Sequence, residues 1–135
     1  MDPIKIVARY ADGGIIKGYT QNFLPNKPSF HLRRFDPSAS ADDVVEVLVQ
    51  DLKAVFFVRD FAGDSSYQEQ NNFPEGMKHP GKAVEVKFED GEVIVGSTLS
   101  FDPHRAGFFV FPADPKSNNL RIFVVIQAVS EVYYI

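Results

Sequence analysis

The chain has 135 residues, of which 44% are apolar and 24% charged, with a formal net charge of −4 and no cysteine. That length buries about two-thirds of the unfolded surface, enough for one compact domain or two very small ones leaning on each other. The lack of cysteine excludes a disulfide framework, a thiolate metal site and a cysteine nucleophile. No apolar run reaches the ~18 residues of a spanning helix, and Met1-Asp2-Pro3-Ile4-Lys5 lacks the basic and apolar regions of a secretory signal. A cytoplasmic protein without membrane association is therefore expected.

In chain order, the first feature is Asp12-Gly13, a turn signal, because glycine accepts the positive φ of tight hairpin connections. Gly18 follows inside the return strand, where a glycine marks a bend, a bulge or a close backbone approach. Next comes a basic stretch of Lys27, His31, Arg33 and Arg34. Alternation puts His31 and Arg33 on one face beside the turn holding Lys27. Such a cluster suits a phosphate or carboxylate ligand; the plainer alternative is a solvated strand face that deters edge pairing. Residues 40–52 are ambiguous between an amphipathic helix capped by Ser40 and a strand. Val55-Phe56-Phe57-Val58 is an apolar strand in which the two rings point to opposite faces. One ring of that pair cannot enter the same core and needs cover from elsewhere.

Residues 62–82 are polar and turn-rich, as a linker is, although Phe61, Tyr67 and Phe73 are placed to pin it down. Beyond it, Val84, Val86 and Phe88 alternate with Glu85, Lys87 and Glu89, the pattern of a strand with one buried face. Asp90-Gly91 turns the chain, and a return strand carrying Gly96 runs to Phe101. Further strands are predicted over 107–111, 120–126 and 132–135, the last holding Tyr133 and Tyr134. The outward rings of Phe56-Phe57 and Tyr133-Tyr134 are candidate interface residues, covered either by contact between the two halves or by an oligomer or partner.

The two halves repeat each other. A shift of 78 positions places Asp12-Gly13 on Asp90-Gly91, Gly18 on Gly96, Phe30 on Phe108, Asp36-Pro37 on Asp114-Pro115 and Val47 on Val125. It gives 11 identities in 40 ungapped columns, where ordinary composition gives about two or three. A one-residue deletion after that block then aligns Val55-Phe56-Phe57-Val58 with Val132-Tyr133-Tyr134-Ile135. By this repeat residues 40–52 are a strand, since their counterpart 120–126 is β-branched and aromatic. Five short curved strands in about fifty residues read as a small barrel. The expected organisation is a first repeat at 1–61, a linker at 62–82 and a second repeat at 83–135.

Two resemblances follow from these residues. Val86-Lys87-Phe88-Glu89-Asp90-Gly91-Glu92-Val93-Ile94-Val95-Gly96, followed by Phe101-Asp102, resembles the first motif of the Sm-like barrels, and Ser130-Glu131-Val132-Tyr133-Tyr134-Ile135 resembles their last strand. The resemblance implies an all-β protein of two five-stranded Sm-like (SH3-like) barrels packed as a pseudo-symmetric pair. The whole chain is also similar to an uncharacterised bacterial family with Asp-Gly, Gly and Pro-Ala-Asp-Pro elements, here Asp90-Gly91, Gly96 and Pro112-Ala113-Asp114-Pro115. Sm-like proteins hold a base with an Asn after the Phe-Asp step and an Arg-Gly or Lys-Gly before the last strand. Here those places read His104-Arg105-Ala106-Gly107 and Ile126-Gln127-Ala128-Val129, so the base pocket does not carry over.

Charge and motifs bound the function. Residues 1–61 hold eight Lys/Arg and eight Asp/Glu, and residues 83–135 hold four and seven, so neither repeat has the positive excess of a general nucleic-acid binder. His31, His79 and His104 lie on different segments, without the i, i+4 spacing of a two-His metal site. Asp before Pro at 36, 102 and 114 marks turns, and no nucleophile elbow or phosphate-binding glycine loop occurs. The expectation is a non-catalytic binding or adaptor module without cofactor, engaging a protein partner as a monomer or homodimer. RNA or nucleotide binding at Lys27, His31, Arg33 and Arg34 is the alternative.

Overall fold

A computed structural model describes residues 4–35, 43–64 and 66–135. Their regular elements are β1 (Ile4–Tyr10), β2 (Ile15–Thr20), β3 (Ser29–Arg34), β4 (Val44–Leu48), β5 (Leu52–Val58), β6 (Lys82–Phe88), β7 (Val93–Thr98), β8 (Gly107–Pro112), β9 (Asn119–Val125) and β10 (Val129–Tyr134), with single 3-10 turns at Val49–Asp51 and Ile126–Ala128. The protein is all-β, as its alternating sequence indicates. Its pairing gives one continuous open antiparallel sheet of ten strands, in the order β10-β6-β7-β8-β9-β5-β1-β2-β3-β4. The ambiguous stretch resolves as β4 plus one 3-10 turn, so the helix alternative falls; Ser40, like Asp36-Pro37, lies outside the described residues.

Short-range sterics explain the shape of each half. Gly13 and Gly91 sit in the β1–β2 and β6–β7 turns at φ of 100° and 93°, which side-chain-bearing residues rarely adopt. Gly18 and Gly96 serve a different need. A Cβ on Gly18 would stand 2.2 Å from the Arg33 carbonyl oxygen, and one on Gly96 would stand 2.2 Å from that of Phe111, so glycine lets the crossing strands touch. Thr20 and Thr98 tighten the same crossings, donating their hydroxyls to the carbonyls of His31 at 2.9 Å and Phe109 at 2.8 Å. β7 ends at Thr98 and not at Phe101.

One detail of the sequence alignment changes. Phe30 pairs with Val47, while Phe108 pairs with Val124, not Val125. The one-residue offset therefore falls before β4 and β9, and the match of Val47 to Val125 across the ungapped block is displaced by one. The bulge in the first–fifth strand pairing occurs between Arg9 and Tyr10 in one half and between Val129 and Glu131 in the other.

The halves join where β5 pairs with β9. Successive side chains on these strands go to opposite faces, and each face feeds a different core. Val55 and Phe57 of β5, with Phe123 and Val125 of β9, pack among Ile6, Phe30, Leu32 and Val47. Ala54, Phe56 and Val58, with Ile122 and Val124, pack among Val84, Val86, Phe88, Phe108 and Val110. Burial of each large side chain contributes about 2–3 kcal/mol, so each core is built partly from the other half's strand. Lys53 lies beside the joint, buried, with its ammonium on Glu92, 2.7 Å from Asp90 and 4.7 Å from the Phe88 ring centroid.

Two outcomes follow. Gly96→Ala forces the Phe111 carbonyl aside and costs about 3 kcal/mol, measured as a lowered urea midpoint, whereas Gly76→Ala, which meets no atom within 4 Å, carries only the cost of its φ of 76°, about 1 kcal/mol. The Asp90 carboxylate, bonded first by Lys53 and then by the Glu92 N–H, has its pKa held below the usual carboxylate value. A depressed folded pKa contributes stability that is present above the unfolded value and lost as pH falls through the folded one. Acid titration below about pH 4 therefore destabilises the native chain more steeply than Lys53→Met.

Candidate functional site

The basic stretch singled out in the sequence does not act as one cluster. His31 and Arg33 share the outer face of β3, as alternation predicts, and with Tyr19, Gln21, Asn22 and Val44 they line a shallow hollow of about 460 Å³. Both are already engaged. The His31 Nδ1 lies 2.9 Å from the Asn22 amide nitrogen, and the Arg33 guanidinium sits 5.0 Å from the Tyr19 ring centroid. Arg34 points away and reaches Asp43 at 4.0 Å. Lys27 belongs elsewhere, on the β2–β3 turn.

Lys27 lines a second, larger cleft of about 1040 Å³, formed by residues 25–28 and 48–50 of the first half and 103–107 and 125–127 of the second. The two sides correspond: Lys27 stands where the other half has Arg105, Asn26 where it has His104, and Gln50 where it has Gln127. Among the described residues no carboxylate lines the cleft, and Lys27 and Arg105 bring positive charge to it. The Arg105 side chain makes a 3.8 Å contact with Asp102 at the rim, and it is 78% exposed. Sequence reading missed this cleft because its walls lie far apart in the chain and meet only through the β5–β9 joint.

The paired aromatics divide sharply. Phe56 and Phe57 are 6% and 2% exposed, one in each core. The guanidinium of Arg121, paired across from Phe57, lies 4.4 Å from that ring's centroid. Tyr133 and Tyr134 hold the matching places on β10, which among the described residues has a strand neighbour on one side only, and are 46% and 58% exposed. The Tyr133 hydroxyl donates to Glu131, which raises its pKa above the ordinary tyrosine value. At the sheet's other end, Val44 and Leu48 of β4 are also exposed.

The segment between the halves is anchored. Asp114 accepts hydrogen bonds from the Gln70 N–H at 2.9 Å and from the Tyr67 hydroxyl, which lower its pKa and push that of Tyr67 up to about 12. Ser117 donates to Glu69. Phe61 stacks on Phe35 with centroids 4.4 Å apart, and Phe73 packs on His79 at 4.3 Å. Asp114 before Pro115 thus does more than open a turn. Among the described residues no group of three His, Cys, Asp or Glu is placed to hold a metal, and no helix is long and apolar enough to cross a membrane.

These features define an all-β protein with two open sheet ends and a cleft between its halves. The chain belongs to DUF6982, a family of unknown function, which it matches over residues 2–135. No curated protein and no solved structure matches it.

The asymmetry between the aromatic pairs is measurable. Phe56→Ala empties a place in the second core and costs about 3–5 kcal/mol, whereas Tyr133→Ala stays within about 0.5 kcal/mol. Equal losses in denaturant unfolding would show that β10 is covered as β5 is.

Proposed function

We propose that the protein is a non-catalytic binding module that engages another protein through the free edge of β10. The observation that carries this is the exposure of Tyr133 and Tyr134 beside an unpaired row of backbone donors and acceptors. Extended segments add to such edges by main-chain hydrogen bonds, with side chains on alternate faces giving specificity. In this reading the chain is a tandem duplication of a curled, Sm-like five-stranded unit, supported by the common strand order of the two halves and their matching glycine crossings. Such a module works in the cytoplasm and needs no cofactor.

The second reading is an anionic ligand, RNA or a nucleotide, held in the cleft between the halves. It is favoured by Lys27 and Arg105 facing a space that no carboxylate lines among the described residues. It moves the candidate anion site away from His31, Arg33 and Arg34, whose side chains have local partners.

One purification separates the two. Tagged protein is recovered from its native host at low salt, with and without nuclease, alongside Tyr133→Ala/Tyr134→Ala and Lys27→Ala/Arg105→Ala. The first reading expects a protein that survives nuclease and is lost only in the tyrosine variant. Nucleic acid lost only in the Lys27/Arg105 variant would replace it with the second.

A further inference from the structure

The β5–β9 joint is a template for what the free edges of the sheet accept, and it also shows what they refuse. Matching the pairings of the two halves puts Glu131, Val132, Tyr133 and Tyr134 of β10 where Ala54, Val55, Phe56 and Phe57 stand on β5. The same comparison puts Val45, Glu46 and Val47 of β4 where Ile122, Phe123 and Val124 stand on β9. In the joint Ala54 opposes Val124, Val55 opposes Phe123, Phe56 opposes Ile122 and Phe57 opposes Arg121.

Repeating that joint between two copies of the chain fails at two places. Glu46 would take the position of Phe123, which is fully buried in the first core. Glu131 would take the position of Ala54, fully buried in the second. A carboxylate driven into an apolar core is strongly disfavoured even with the single hydroxyl bond that Tyr133 gives Glu131 or Ser29 gives Glu46, and inward-pointing charges are a recognised protection of sheet edges. A second copy is therefore the wrong occupant, although the remaining positions are apolar.

The outer face of β10 indicates the right one. Glu131 is paired with Lys87 and Tyr133 with Glu85, so this face offers two carboxylates against one ammonium. Tyr134 occupies the place of Phe57, whose partner in the joint is the Arg121 guanidinium. We propose that the β10 edge takes an antiparallel strand of a different protein with a basic residue opposite Tyr134, a β-branched one opposite Tyr133, an apolar one opposite Val132 and a second basic one opposite Glu131. This rests on the reading of β10 as the binding edge and specifies the partner's chemistry. Glu46 and Glu131 keep the chain's own β4 from competing for that place.

The test uses the full chain and a synthetic peptide with the sequence of residues 118–126 carrying Val124→Lys, which puts lysine opposite Glu131. In an NMR titration the expected result is perturbation of β10 and β6 amides, with affinity about fivefold above that of the unmodified peptide and the preference abolished by Glu131→Ala. Perturbation absent from β10, or equal affinity for both peptides, overturns the proposal. Sedimentation supplies the second arm. The native chain should remain a monomer, and Glu46→Phe/Glu131→Ala should self-associate. A native chain that pairs with itself, or a double variant that stays monomeric, shows that these carboxylates do not guard the edge. Neither arm depends on a partner captured from the host, so failure here is distinct from failure of the binding-module reading.

Discussion

The β5–β9 pairing is the constraint on which the rest of the molecule depends. A strand has two faces, and at this joint both are apolar on both strands, so neither half completes its core alone. Val55 and Phe57 remain in their own half while Phe56 crosses to the other, and Ile122 and Phe123 make the reverse division. This accounts for the consecutive aromatics of β5: a strand bearing Phe on both faces is stable only where both faces are covered. Stability is therefore shared across the halves, and a cavity opened in one is felt in the other.

The joint also makes the surface features. By seating the 25–28 and 48–50 turns against 103–107 and 125–127, it creates the cleft and brings Lys27 to the same space as Arg105. The ion cluster of Lys53 with Asp90 and Glu92 sits at the same seam, linking β5 to the β6–β7 turn. Asp114, gathering Tyr67 and Gln70, holds the intervening segment to the second half. The features left uncovered lie at the margins of the sheet, in the cleft and along the two terminal strands.

Those margins differ from the interior by a few substitutions. Along β10 the aromatic pair of β5 is retained, with tyrosine for phenylalanine, so each ring keeps its apolar body and gains a polar tip. Along β4 and β10, Glu46 and Glu131 replace fully buried apolar positions. Aromatic contact area kept beside carboxylates at the matching places is the basis of the proposed reading, in which the edge takes a strand of another chain.

The sequence by itself determined the all-β character, the turns at Asp12-Gly13 and Asp90-Gly91, and the close crossings at Gly18 and Gly96, because period-two alternation and glycine's missing Cβ are local properties. It also showed that one ring of each aromatic pair needs cover. Only the tertiary structure decided which pair receives it: Phe56 and Ile122 lie 66 positions apart in the chain and meet through strand pairing that no local pattern specifies. The same long-range pairing broke up the basic stretch, leaving His31 and Arg33 to local partners and carrying Lys27 to Arg105. It also displaced the Val47 match by one residue, since an alignment without gaps counts identities, whereas Phe30 and Phe108 choose their partners by register.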